Sequence, residues 1–464
     1  HNRQMLSDKK EGTGTSRSRT PNSKEFLDYI SSGWQERSGE TISPSPAADF
    51  AKTRRDQVAA EFPGQRIVIE AGAPKTRSND TEYRYRPHAA FAHLTGWGSE
   101  TVPDSVLVID SEQANQILFL RPTAGKDSDE FFANPAIGEF WVGARPTLED
   151  VSALLKIDTR DLSELSAYLT NKDTVTLEDS ELAQFVSELR LVKDSYETDQ
   201  MRQAVASSIR GFEDIVKVLP RAAKNPRGER IIETAFFARA RLEGNDLGYE
   251  TIAAAGKNAC VLHWITNHGP VNNGELVLVD AGVEMDSFYT ADITRTLPIN
   301  GKYSDAQLEV YLAVLEAADA AFAVAKPGIK FREVHAAAMK VIANKVADWG
   351  ILPVSAEESL EADKQFHRRW MVHGTSHHLG LDVHDCAQAR KEMYLDAELK
   401  EGMIFTIEPG LYFHENDLLA PERFRGIGIR IEDDVLVTKD GVENLSAKLP
   451  RTPAEIESWM ASLS

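Results

Sequence analysis

Five of the chain's twelve histidines fall in one short stretch, FHRRWMVHGTSHHLGLDVHD, as His367, His373, His377, His378 and His384. Imidazole titrates near neutral pH and is the commonest metal-ligating side chain, so this density beside Gly374 and Gly380 points to chemistry rather than to packing. A second signal is acid placed where strands would bury it. Asp280 ends the apolar run ELVLVD, Asp292 opens DITRTLP, Glu408 ends GMIFTIE, and Glu432 lies in the alternating run GIGIRIEDDVLV. In that run Ile427, Ile429 and Ile431 share one face by the period of two, leaving Gly428, Arg430 and Glu432 on the other. A carboxylate facing an interior is costly unless it is paired or metal-bound. Taken singly, each of these acids also reads as a solvated strand end, or as the partner of an arginine such as Arg295 or Arg430.

Taken together, four carboxylates and one imidazole suit a pair of hard or borderline divalent cations such as Mn²⁺, where an all-thiolate set would select zinc or iron–sulfur clusters. Two such ions carry four positive charges, which four carboxylates balance. A pair of this kind acidifies a water molecule and stabilises both the attacking and the leaving atoms of a hydrolysis.

The elements that must position these residues are legible in outline. Ala51–Phe62 has helical spacing, while RIVIE (66–70), SVLVID (105–110) and QILFLR (116–121) read as short buried strands, which together predict a small α/β domain. Asp194 and Glu197 form an acidic capping box before Met201, Val205, Ile209, Phe212 and Val216, so a long helix starts there and a boundary is expected near 190. Further helices are expected over about 229–242, from Ser304 to Pro327, and over 331–349. Interleaved with them are the acid-bearing strands, without a regular βαβ period, so the second half is α+β. The expected organisation is a polar tail and lead-in over 1–45, a smaller domain over 46–190 and a large domain over 191–464. The first 24 or so residues are Ser, Thr, Gly, Arg and Lys with little to bury, and read as a tail.

Composition excludes several classes. With 52 Lys+Arg against 72 Asp+Glu the formal net charge is −20, and no long basic run is present, which argues against nucleic acid and against anionic membrane surfaces as partners. Hydrophobic residues at 42% and charged residues at 27% are ordinary globular usage. Cys260 and Cys386 are too few for a disulfide framework. No apolar run reaches transmembrane length, and the N-terminus lacks the apolar core of a secretory signal, so a cytoplasmic protein is expected.

The segments VDAGVEMDSFYTADITRT (279–296), HGTSHHLGLDVHD (373–385), TIEPGLY (406–412) and GIGIRIEDD (426–434) resemble the ordered motifs of the pita-bread metallopeptidases, in the aminopeptidase P and prolidase branch. Residues 76–97, TRSNDTEYRYRPHAAFAHLTGW, are also similar to the N-terminal domain of aminopeptidase P, which favours that arm of the branch. The resemblance implies that Asp280, Asp292, His377, Glu408 and Glu432 are ligands of two divalent ions, with Asp292 and Glu432 bridging them. It implies that Glu408 also handles the proton of the nucleophilic water, that His263 meets the substrate near the scissile bond, and that His373 and His384 position the substrate and stabilise the tetrahedral intermediate. Tyr412 and Arg430 match residues lining the substrate side. Asp80 and Trp141 match positions that reach a neighbouring subunit's active site, which implies a homo-oligomer, dimer or tetramer; a turn residue and a core aromatic are their plainer readings. His378 reads as structural.

The chain departs from the family pattern in two places: the Asp280–Asp292 connection is one residue longer than the commoner form, and Trp264 stands where Tyr is frequent. The implied activity is removal of an N-terminal residue that precedes proline, with Mn²⁺ as the implied metal. The rivals are an Xaa-Pro dipeptidase and a non-catalytic pita-bread module that binds peptides.

Overall fold

The structure is a computed structural model and describes residues 21, 23–37, 39, 41–170 and 173–463. Most of the expected tail therefore lies outside the described residues. The chain divides into two compact units, one holding residues up to 96 and 101–176, the other 97–100 and everything from 177. The boundary expected near 190 falls between the helices Ser180–Glu188 and Ser195–Ala222, both of which belong to the second unit.

The first unit is built on one mixed sheet. Its strands are β1 (Arg66–Glu70), β2 (Val106–Asp110), β3 (Asn115–Leu120), β4 (Asp158–Asp161) and β5 (Thr174–Thr176), in the order β4-β3-β2-β1-β5. The three central strands are antiparallel and the outer two are parallel to their neighbours. Val68, Val106, Val108, Ile117 and Phe119 form one buried face. The helix α1 (Ala48–Glu61) buries Ala48, Ala51 and Val58. The lead-in, expected to be polar, sets Phe26 edge-on to Phe132 and Trp34 edge-on to Phe131.

In the second unit α2 (Ser195–Ala222) begins with the reciprocal Asp194–Glu197 capping box read from the sequence and lies against α3 (Gly228–Glu243). The pair α4 (Asp305–Val324) and α5 (Phe331–Asp348) follows, α4 opened by the Ser304–Gln307 box. The strands are β6 (Ile252–Ala255), β7 (Leu276–Ala281), β8 (Ile293–Pro298), β9 (Ile404–Ile407), β10 (Gly410–Phe413), β11 (Ile427–Arg430), β12 (Asp433–Val437) and β13 (Val442–Asn444). Every pairing among them is antiparallel: β8-β7-β6, β9-β12-β13 and β10-β11. One continuous apolar core joins these strands to the helices.

The run 426–437 is not one strand. It pairs with β10 up to Arg430 and with β9 from Asp433, and between them the Glu432 N–H donates to the Thr294 carbonyl of β8 at 3.1 Å. Changing partners there buries both faces, so Ile429, Ile431, Arg430 and Glu432 are all inside, and the alternation reports two neighbouring sheets rather than an inside and an outside.

The histidine-rich stretch is held by a buried ion triad. Asp385 accepts from Arg190 Nε at 2.9 Å and from Lys193 Nζ at 3.2 Å, and the Asp385 and Lys193 side chains have essentially no exposure. Burial by itself would raise the Asp385 carboxyl, but the Arg190 and Lys193 charges outweigh it and hold it at about 2. Removing one member of such a group leaves uncompensated charge in the interior. Asp385→Asn is therefore expected to lower unfolding stability by roughly 3–5 kcal/mol at neutral pH, measured by urea denaturation. Because the folded carboxyl ionises below its ordinary 3.8, this contribution is present above that pH and lost as pH falls through about 2, so the gap between wild type and variant closes in acid.

Candidate metal centre and active site

The extended backbone of β7 and β8 brings Asp280 and Asp292 together from sequence positions separated by a long connection. That connection pairs Val283–Glu284 with Asp246–Leu247 and closes in a turn, where the Met285 N–H donates to the Tyr289 carbonyl at 2.9 Å and Phe288 takes φ 71. The turn absorbs the connection's length away from both carboxylates. Gly282 permits the close approach, since a Cβ there would lie 1.7 Å from the Ala291 carbonyl oxygen.

Donor atoms of Asp292, His377 and Glu432 lie within 4.8 Å of one another. His377 Nε2 stands 3.2 Å from Asp292 Oδ2 and 3.3 Å from Glu408 Oε1, while its Nδ1 donates to the His378 carbonyl at 3.0 Å. That backbone bond fixes the tautomer and leaves Nε2 for the carboxylate cluster. Asp280 joins through Tyr249, whose hydroxyl is 2.6 Å from Asp280 Oδ1 and 2.6 Å from Asp292 Oδ1. On its other oxygen Asp280 accepts from Arg430 Nη2 at 2.6 Å, the arginine pairing that its sequence context allowed.

The electrostatics are those of crowded negative charge. Burial, with Asp292, Glu408 and Asp280 adding, drives the Glu432 carboxyl well above its ordinary range. Burial also raises Glu408 to about 7, with His377 opposing and Asp292 reinforcing. Burial alone would lower His377, but Asp292 and Glu408 carry it to about 9. A donor set of four buried carboxylates and one imidazole whose Nε2 faces them fits divalent cations, which would displace the Nε2 proton and relieve this repulsion.

On the substrate side, Arg430 Nη1 donates to the Tyr412 hydroxyl at 3.0 Å. The single Tyr412 proton then goes to His373 Nε2 at 2.7 Å, and His373 Nδ1 donates to the Gly374 carbonyl at 2.6 Å. Burial and then the Arg430 charge lower His373 to about 3, so the ring is neutral, as this arrangement of protons requires. His384 stands edge-on to His377 at 4.5 Å, and is lowered by burial and then by the charge of His377, with His263 contributing. His263 is exposed, next to Trp264, whose Nε1 donates to Glu229 at 2.9 Å. Asp80 is exposed in the turn between the short strands Thr76–Ser78 and Thr81–Glu82 of the first unit. Trp141, in the same unit, is 60% exposed rather than a core aromatic. His378 is buried among Phe331, Tyr394 and Phe405.

Several supporting residues escaped sequence reasoning. The Thr294 hydroxyl donates to Glu432 at 2.6 Å and the Thr406 hydroxyl faces Glu408 at 3.3 Å. Each threonine stands two positions from a recognised acid, Asp292 or Glu408, so the period of two was a usable signal. His335 Nδ1 accepts from the Thr375 N–H at 3.1 Å and so props the loop between His373 and His377. The buried Glu229 accepts from Ala255, Asn258, Trp264 and Gly269, anchoring the segment that carries His263. For Tyr249, His335 and Glu229 no local pattern gave notice.

Residues 199–439 match Metallopeptidase family M24, and residues 51–176 match the aminopeptidase P N-terminal domain. The chain belongs to metallopeptidase family M24. Among M24 relatives, it is 47% identical over 463 residues to Xaa-Pro aminopeptidase 1 of Streptomyces coelicolor, covering 95% of this chain and 93% of that one. It is 43% identical to Xaa-Pro aminopeptidase 2 of the same organism, over 95% and 96% of the two chains. A solved structure of zinc-substituted Escherichia coli aminopeptidase P in complex with product superposes with a TM-score of 0.78 at 29% identity, covering 90% of this chain and 99% of that one. The chain is therefore an aminopeptidase P-type N-terminal domain followed by the M24 pita-bread catalytic domain.

Tyr249 gives the metal centre a test. Its hydroxyl links Asp280 and Asp292, and groups that orient ligands usually set affinity. Tyr249→Phe is expected to weaken divalent-cation binding about 10- to 100-fold by calorimetric titration of the metal-free protein; unchanged affinity would show that the phenol does not position the pair.

Proposed function

We propose that the chain is a dinuclear metal-dependent Xaa-Pro aminopeptidase in which Asp280, Asp292, His377, Glu408 and Glu432 hold two divalent ions, most simply Mn²⁺. The activity class follows from family membership and from relatives named Xaa-Pro aminopeptidase along nearly their whole length. The observation that carries the finer reading is the convergence of these five side chains beside the hydrogen-bonded series Arg430, Tyr412, His373. Divalent ions bound here would supply Lewis acidity and lower the pKa of water at the scissile carbonyl.

The chain's own groups do the rest. Glu408, whose Oε1 lies 3.3 Å from His377 Nε2, takes a proton at a carboxylate oxygen and returns it to the departing nitrogen. His377 keeps Nε2 directed at Asp292 and Glu408 because Nδ1–H is spent on the His378 carbonyl. His384, beside His377, is placed to donate to a carbonyl oxygen as charge develops on it. His373 and His263 orient the peptide, and Tyr412 and Arg430 line its binding side. The bond before proline has no N–H and a restricted φ, so it offers little to peptidases that read the backbone, and recognition falls to side chains such as these.

Asp80 and Trp141 complete a neighbouring subunit's site in this reading, within a dimer or tetramer. The exposure of Trp141 supports it. A cytoplasmic location accompanies it, supported by the free, buried Cys260 and Cys386. Among the described residues no helix is long and apolar enough to cross a membrane.

Chelation is expected to abolish cleavage and added Mn²⁺ to restore it, while an Xaa-Pro-Yaa peptide is cleaved more efficiently than an Xaa-Pro dipeptide. Full activity in exhaustively metal-free protein would sink the mechanism, and cleavage confined to the dipeptide would make the chain a prolidase.

A further inference from the structure

A cavity of about 560 Å³ in the second unit takes no part in the hydrolysis described above. Its wall includes Ala255 at the end of β6, Leu276 at the start of β7 and Ile427 at the start of β11. Asp280 lies four residues along β7 from Leu276, about 13 Å at the rise of an extended strand. The cavity therefore stands at the opposite end of the strands that carry the carboxylates. Trp264, which lines it, directly follows His263 in the chain.

The wall carries both signs of charge: Glu415 is paired with Lys257, Glu275 accepts from Asn272 at 3.2 Å, and Arg425 is the cation left over. Arg425 is half-buried, and its Nε and Nη2 donate only to the carbonyls of Ala420, at 3.2 Å, and Leu418, at 3.5 Å. Among the described residues no carboxylate pairs with it, although the chain carries a net charge of −20. Lys257 adds a second cation, held by Glu415 at 2.9 Å. Trp264 and His268 stack with centroids 5.2 Å apart and an interplanar angle of 28°, a flat apolar platform fixed through the Trp264 bond to Glu229. A guanidinium with room for a carboxylate, next to an aromatic platform, matches a C-terminal residue.

We propose that this cavity is a distal subsite for the peptide substrate, with the Trp264–His268 platform under a residue downstream of the proline and Arg425 on the C-terminal carboxylate. The proposal rests on the Xaa-Pro aminopeptidase reading. An extended peptide covers about 3.3–3.6 Å per residue, so a span of at least about 13 Å takes roughly four or more residues past the scissile bond. The subsite thus favours short peptides of definite length over both dipeptides and long chains.

The test compares kcat/KM for Xaa-Pro peptides from dipeptide to hexapeptide, each as free acid and as C-terminal amide, in the metal-loaded protein. The free acid is expected to exceed the amide about tenfold at the length that reaches Arg425, and at that length only, as a charge-assisted hydrogen bond would give. Arg425→Gln should bring the acid-to-amide ratio close to one, and Arg425→Lys should recover part of it. Equal acid and amide rates at every length in wild type, or a ratio that survives Arg425→Gln, would overturn the subsite alone. Failure of the wild-type protein to cleave any Xaa-Pro bond would overturn the functional reading and the subsite with it.

Discussion

The second unit is organised around one constraint: four carboxylates must stay close together in an interior that penalises every one of their charges. Desolvation alone pushes such groups toward neutrality, and mutual repulsion adds to it. The surroundings of Asp280, Asp292, Glu408 and Glu432 counter this with donors aimed at single oxygens, namely Tyr249, Thr294, Thr406, His377 and Arg430. These donors fix positions without cancelling the charge, which is what a site for cations requires. A cluster neutralised fully by arginines would hold its shape and have no use for a metal.

The stretch Glu432-Asp433-Asp434 makes the same point within three residues. All three acids are fully buried, yet their environments differ. Glu432 turns to the metal cluster. Asp433, on the other face, pairs with Arg295 at 2.7 Å and accepts from Ser446, and although burial opposes it, Arg295 holds its carboxyl below the usual range. Asp434 turns back and accepts the Asp292 N–H at 3.1 Å, so one ligand's backbone is fixed by a neighbour of another. The change of strand partner at Ile431–Glu432 makes these three directions available. A single flat strand would send Glu432 and Asp434 the same way.

That geometry also explains what could be read from the sequence. The acids of the metal cluster stood out because each interrupts or ends an apolar run, a local property, and the histidines stood out by density. Capping boxes at Asp194 and Ser304 placed two helices because caps involve residues three apart. Tyr249 did not stand out, since its meaning lies in reaching Asp280 and Asp292 across 31 and 43 residues. Arg190 and Lys193 likewise look like ordinary residues ahead of a helix until Asp385, 195 and 192 residues away, meets them in the core. Trp141 is the reverse case, for its plainer reading as a core aromatic gives way to an exposed side chain in the fold. Residue type and spacing expose groups that offend a local pattern; they are silent on groups that satisfy a distant one.

Arg430 links the two sides of the site. Its Nη2 meets Asp280, its Nη1 meets the Tyr412 hydroxyl that passes its own proton to His373, and its Nε meets the Thr294 hydroxyl that donates to Glu432. One rigid plane therefore sets the orientation of two cluster carboxylates and of the histidine on the substrate side. A lysine at this position would keep the positive charge but present it from a single point on a flexible stem, and would reach one of these partners at a time. Charge alone would then still lower the cost of burying Asp280, while His373 and Glu432 would lose their common reference. The fork of the guanidinium, more than its charge, makes the ligand cluster and the substrate pocket one device.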